Sequence, residues 1–342
     1  MDSNKELERW QGFLSVWSTD EPKFGQTERV SIWKKNKATL WYYPAVKKKY
    51  NTPIYLVYSL INQPFILDLY PGSSLIEAFV HEGYEVYLID FGIPGYEDKD
   101  LTLDYYIIDY IQKGALKVLA HSEATEMTVM GFCLGGTIAA MYASIAKEPI
   151  KNLILNVAPV DFSSGNIFDQ WVQVVKDEDL DFDAFIDAVG LIPARFIEAG
   201  VRLITSPVYF SPYLSLLNKA DNERYVERWR VFNKWTRGHI PLPGGVLKQL
   251  FTELGKKNGL VKGTLTVKNE KVDLPNINSN LLVIASEFDR LVPKETTYKI
   301  IDLVSSTDKK YHVLQGGHAN LTKNGKLPDY LRDWLPKRSN PI

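Results

Sequence analysis

Seven residues in the middle of the chain, Gly131-Phe132-Cys133-Leu134-Gly135-Gly136-Thr137, combine a thiol with three glycines in a pattern that serves nucleophilic catalysis. The apolar run Met127-Thr128-Val129-Met130 precedes them and the apolar stretch Thr137 to Ala143 follows. The pattern predicts a strand, a sharp turn and a helix, with cysteine where G-x-S-x-G carries serine. Such a turn holds its nucleophile in a strained backbone conformation. Side chains two positions before and after it would collide, a demand that Gly131 and Gly135 meet, while Gly136 lets the helix approach the sheet. The Leu134 N–H would face the reacting oxygen as one oxyanion donor. A second donor is expected from the loop at Ser59-Leu60-Ile61. The helix start also favours a thiolate. Cys133 is the only cysteine, so no disulfide can form within the chain. A lone cysteine is commonly a buried core residue; the three glycines and the order of elements assign this one to catalysis.

A nucleophile on such a turn needs an acid and a base later in the chain. The apolar run Leu281 to Ala285 leads into Ser286-Glu287-Phe288-Asp289-Arg290-Leu291-Val292-Pro293. A carboxylate just past a strand end suits the acid, and Asp289 is the choice, ahead of Glu287, Asp302 and Asp308. As a mere turn cap it would need no partner. The last apolar run, Tyr311 to Leu314, leads into Gln315-Gly316-Gly317-His318-Ala319-Asn320. His318 is the expected base. Of the other histidines, His81 and His121 precede the nucleophile, His239 falls in a different segment and His312 lies within the strand. A neutral His318 would take the thiol proton while Asp289 fixes its tautomer.

A cysteine nucleophile also narrows the reaction. Attack on an ester would yield a thioester, an uphill exchange. Attack on a thioester is nearly isoenergetic, and passing the acyl group on to a hydroxyl is downhill. The residue type therefore suits acyl transfer from a thioester to an alcohol, provided that water is kept out.

The elements that must hold these residues alternate. Short apolar runs begin at Pro53, Glu85, Met127, Lys151, Leu281 and Tyr311, and amphipathic stretches cover 74–82, 103–120 and 137–147. Continuous apolar runs are the mark of buried parallel strands. Together with the turn at Cys133 they predict an α/β-hydrolase fold, a mostly parallel sheet flanked by helices. From 161 to 273 the alternation stops. Acidic and aromatic helical stretches (Asp177 to Ala188, Asn222 to Trp235) and the turn Ile240 to Gly245 take over. We read 1–160 as the first part of the core, 161–273 as an inserted helical cap and 274–342 as the second part of the core. An insertion at the carboxyl end of the sheet covers the place where such folds bind ligands.

Composition sets broad bounds. The 342 residues carry 45% apolar and 24% charged residues with a net charge of −1, an ordinary globular balance that gives no field for nucleic acid or an anionic membrane. The first residues are polar, with no secretory signal, and no run of about 18 apolar residues predicts a transmembrane helix. A cytoplasmic protein is expected. Aromatic residues reach 12%, which fits a large core with a cap and also an apolar polymer surface.

Several further stretches resemble one enzyme family. These are Leu56 to Leu69, Gly83 to Gly92, Gly131 to Gly136, Pro159 to Phe162, Trp229 to Trp235, Gly259 to Gly263, Asp289 and Gly317-His318, and the similarity runs from about residue 30 to residue 336. The chain resembles poly(3-hydroxyalkanoate) synthase catalytic subunits of the short class III/IV type, most of all the Bacillus-type class IV. The resemblance implies that (R)-3-hydroxyacyl-CoA is the substrate, that Cys133 carries the growing polyester and that His318 and Asp289 complete the triad. It implies release of CoA at each addition, no cofactor and no metal. It also implies a small accessory subunit, a site at the surface of polyester granules and, as an open matter, a homo-oligomer. Arg290 stands where the family usually has histidine, Ala319 where a larger apolar residue is usual, and Phe91 where tryptophan is commoner. Gly131 to Gly136 also resembles the cysteine-dependent dienelactone hydrolases, which are shorter and lack such an insertion. A hydrolase of that sort, an acyl-CoA thioesterase, or a non-catalytic granule-coat protein on the same scaffold remain the alternatives.

Overall fold

The computed structural model describes residues 3–18, 23–163, 182–205, 211–319, 322 and 325–342. Its centre is an eight-stranded sheet of β1 (Val30–Lys35), β2 (Ala38–Tyr43), β3 (Ile54–Val57), β4 (Val86–Asp90), β5 (Met127–Phe132), β6 (Ile150–Asn156), β7 (Asn280–Ser286) and β8 (Lys309–Leu314), in the order β1-β2-β4-β3-β5-β6-β7-β8. From β4 to β8 every neighbouring pair is parallel. The six apolar runs read from the sequence are β3 to β8. The hairpin β1–β2 was not expected; it adds an antiparallel edge, with β2 paired to β4. Its turn is made possible by Asn36, one of the few residue types at ease with its positive φ of 50°.

Burial on both faces explains the uninterrupted apolar runs. Along β3, Ile54 and Leu56 enter one core while Tyr55 and Val57 enter the other, all fully buried. Along β7, Leu281 and Val283 face one core and Leu282 and Ile284 the other. Each such aliphatic side chain contributes about 1.5–3 kcal/mol. The first core is closed by the helix of β5's crossover, α4 (Leu134–Ile145), and by a long helix. The latter runs as a π-helical segment, Tyr105–Gln112, into α3 (Lys113–Ser122). Asp109 on that segment binds Lys35, Lys113 and Lys268 at 2.6–2.8 Å. The second core is closed by α2 (Leu75–Glu82). Ser74 caps α2 by accepting the Glu77 N–H at 2.9 Å and itself donates to Asp68 at 2.7 Å.

Between β6 and β7 the described chain adds no strand to the sheet. It forms α5 (Phe182–Val189), α6 (Ala194–Thr205), α7 (Ser211–Lys219) and α8 (Glu223–Thr236), with a two-residue ribbon pairing Leu191–Ile192 to Leu242–Pro243. The expected helical stretch Asp177 to Ala188 is described from Phe182 onward; its first five residues lie outside the described residues. The N-terminal helix α1 (Ser3–Ser18) packs Phe13 and Val16 against Leu216, Ala220, Val226 and Trp229 of this later segment. Leu7, Trp10, Leu14 and Trp17 form a second stripe on α1 at helical spacing, and all four are exposed. No helix among the described residues is long and apolar enough to cross a membrane.

Candidate active site

Cys133 lies between the last residue of β5 and the first of α4, with φ 52° and ψ −130°. A positive φ is costly for a residue with a side chain. The neighbours hold it there. The Cys133 N–H donates to the Asn156 carbonyl at 3.0 Å, and its own carbonyl accepts from Gly136 and Thr137 at 2.8 and 3.2 Å. The glycines are explained by close approach. A Cβ on Gly131 would lie 2.5 Å from the Gly136 Cα, and one on Gly136 would lie 2.4 Å from the Ala158 Cβ. A Cβ on Gly135 would meet the Tyr58 backbone at 2.4 Å, so the turn sits directly against the end of β3. The loop that starts there brings Ile61 to the cavity above Cys133, while Ser59 lines a neighbouring one.

Asp289 and His318 arrive from the ends of β7 and β8. The Asp289 side chain is fully buried, and its Oδ2 lies 2.8 Å from Nδ1 of His318. Its Oδ1 accepts the Leu291 and Val292 N–H groups, both at 2.9 Å. With Nδ1 engaged, Nε2 is the ring nitrogen left to serve Cys133, which lines the same small cavity as His318. Burial disfavours the imidazolium, but the charges of Asp289 and of the Cys133 sulfur and their hydrogen bonds outweigh it. His318 is held well above its usual 6.5. The sequence suggested a neutral imidazole awaiting the thiol proton; this environment favours an imidazolium already beside the sulfur.

The competing residues are engaged elsewhere. Glu287 binds Lys294 at 2.5 Å, Asp302 binds Lys299 at 3.5 Å, and Asp308 forms a two-pronged pair with Arg338 at 2.6 and 3.0 Å. His121 bonds the Tyr87 hydroxyl at 2.8 Å and His312 packs on Tyr330. His239 is bridged to Asn62, and His81 closes α2. The side chain of Arg290 is exposed. Phe91 packs edge-on against Tyr106 in the core.

Two cavities meet at Cys133. One, of about 370 Å³, runs between the core and α5, α6 and the 242–251 stretch. Phe162, Ile192, Phe196, Leu247 and Phe251 are among its walls, which are almost wholly apolar. The other, of about 60 Å³, lies on the His318 side with Tyr58, Asn156, Ala319 and Thr322. Asn156 and Thr322 are buried, and Oδ1 of the first and Oγ1 of the second have no hydrogen-bond partner among the described residues. Sequence reasoning missed these walls. Asn156 ends β6 and carries no motif, and Phe196 belongs to a helix whose register against Cys133 has no local signal. Asn320, which closes the expected base loop, lies outside the described residues. Among the described residues no group of three or more His, Cys, Asp or Glu side chains could hold a metal ion.

A cysteine on a strained turn after β5, a buried carboxylate after β7 and a histidine paired with it after β8 of a mostly parallel sheet match the arrangement of the hydrolase type. A sequence profile for the alpha/beta hydrolase fold matches residues 52–324, and the chain belongs to that family. Among its curated relatives is the poly(3-hydroxyalkanoate) polymerase subunit PhaC of Haloferax mediterranei, 32% identical over 94% of this chain and 66% of that protein. Another is the protein of that name from Thiocystis violacea, 28% identical over 96% of this chain and 94% of the relative. The chain thus spans about two thirds of the Haloferax protein and nearly all of the Thiocystis one. A solved hydrolase from Pseudomonas aeruginosa PA01 superposes with a TM-score of 0.48 at 16% identity, covering 86% of this chain and 93% of that one.

Proposed function

We propose that this chain polymerises (R)-3-hydroxyacyl groups from their CoA thioesters, through an acyl thioester on Cys133. The observation that carries the proposal is a cysteine, not a serine, on a strained turn beside an Asp289–His318 pair, opening into an almost wholly apolar cavity. The thiolate attacks the substrate thioester, the acyl group moves to sulfur, and the CoA thiolate leaves with the proton held by His318. The Leu134 N–H, with one from Ser59 or Leu60, steadies the oxygen in transit. Since the chain has a single cysteine, acylation and hydroxyl attack must alternate at one sulfur. The 3-hydroxyl of an incoming unit, losing its proton to His318, attacks the Cys133 thioester. A longer acyl-CoA forms and Cys133 is freed; the sulfur then attacks that new thioester and CoA is expelled. Asp289 supports the imidazolium at both stages.

The segment 161–273 acts as the cap that keeps water from the thioester, a role supported by the walls that it lends to the larger cavity. The Bacillus-type class and its small accessory subunit fit the sequence resemblance. The exposed Leu7, Trp10, Leu14 and Trp17 stripe suits residence at a polyester surface. Incubation with (R)-3-hydroxybutyryl-CoA, with and without an accessory subunit, tests the reading. CoA release with polymer is expected; CoA release with free acid alone would instead make the chain a thioesterase.

A further inference from the structure

The two cavities that meet at Cys133 differ in kind: the larger is almost wholly apolar, whereas the smaller mixes apolar walls with polar groups. Phe185 and Phe196 line the larger cavity, yet their residues are 58% and 57% exposed. They are therefore wall and rim at once. Leu203, seven residues after Phe196 on the same helix and so on much the same face, is 76% exposed and extends the apolar rim outward. The smaller cavity has apolar walls such as Leu67 and Met130 but adds His318 and the buried Oδ1 of Asn156 and Oγ1 of Thr322, which lack partners among the described residues. At roughly 30 Å³ per water-sized unit, the larger cavity holds about a dozen heavy atoms, more than one short hydroxyacyl unit.

We propose that the larger cavity is the exit channel of the thioester-bound polyester, which passes Gly200 and emerges between Phe185 and Phe196. A growing chain is esterified along its length and offers almost no hydrogen-bond donors, so a wall without polar groups costs it little. The incoming hydroxyl needs a base and acceptors, and the His318 side provides both. Growth then pushes the finished chain away from the base rather than across it. The channel deepens the polymerase reading and rests on it.

Gly200, in the middle of α6, lines the channel, and Val201 lines it next door. Gly200→Trp and Val201→Trp each place a bulky ring in the channel, whereas Leu116→Trp, at an exposed position on α3 that lines neither cavity, leaves it open. The full-length variants are given (R)-3-hydroxybutyryl-CoA, and CoA release and product length are followed, with thermal unfolding to show that each is folded. Both channel variants should release about one equivalent of CoA per chain as fast as wild type and then make product at least ten-fold shorter. Leu116→Trp should match wild type. Full-length polymer from either folded channel variant would overturn the proposal, as would loss of the first CoA release, since the channel would then serve entry. Absence of polymer from the wild type would overturn the polymerase reading itself.

Discussion

Oδ2 of Asp289 sits 2.8 Å from Nδ1 of His318 while Oδ1 of the same carboxylate is held by two backbone N–H groups. The carboxylate is thereby fixed by its own turn as well as by the histidine beside it. Removing its charge should change His318 without unfolding the loop.

Asp289→Asn should lower the His318 titration midpoint, because burial still opposes the imidazolium while the largest of the charges that raise it is gone. Histidine ring signals in nuclear magnetic resonance report it. Stability gives a second readout. A midpoint raised on folding stabilises the protein fully below the unfolded value, and this share is lost as pH rises through the folded midpoint. Wild type should therefore lose stability on the alkaline side of 6.5, and Asp289→Asn should lose this part of the pH dependence. An unchanged midpoint would refute the pairing.

Cys133→Ser should stall after one turnover. An acyl group on serine is an ordinary ester and has lost the activation that a thioester keeps. Intact mass spectrometry after mixing with (R)-3-hydroxybutyryl-CoA should show one stable acyl adduct per chain, and Cys133→Ala none. The steady rate of CoA release should fall by about a thousand-fold or more in both.

Gly135→Ala and Gly317→Ala should behave oppositely although both flank the site. A Cβ at Gly135 would lie 2.4 Å from the Tyr58 backbone, which cannot step aside; a Cβ at Gly317 meets nothing within 4 Å. Chemical denaturation should show a loss of about 3 kcal/mol or more for the first, at or beyond the usual range for overpacking, and a change within about 0.5 kcal/mol for the second.

Asp109→Asn should destabilise the fold by about 1–2 kcal/mol, since it strips three lysines of a shared partner, two of which are half exposed. Burial opposes ionisation of Asp109, but its bonds to Lys113, Lys268 and Lys35 hold it well below its usual 3.8. A midpoint depressed on folding gives stability that persists above the unfolded value and disappears as pH falls through the folded one. The difference between the two proteins should thus close only in strong acid.

Strands β3 to β7 were legible because burial on two faces keeps them largely apolar, and the edge strand β8 was legible only over its second half, Tyr311 to Leu314. The β1–β2 hairpin was not, since Val30-Ser31-Ile32-Trp33-Lys34-Lys35 lies at an edge, is half open to water and ends on two lysines. That Cys133 would sit on a sharp turn and that Asp289 and His318 would follow strand ends was legible from motif and chain order. The residues around them were not. Asn156, Thr322 and Phe196 reach Cys133 through pairings between distant segments, and no local pattern records where a helix of the 182–205 stretch will lay its phenylalanines.

The three strand ends that meet at the site do not leave the ribosome together. Cys133 and β6 are made early, but β7, the neighbour to which β6 is hydrogen-bonded, begins only at Asn280, and His318 follows the edge strand β8. An unfinished chain has a thiol on its turn and no imidazole beside it. Competence for acylation is therefore acquired only once the chain has been made through His318, and a nascent chain shorter than that has no base with which to start a polymer.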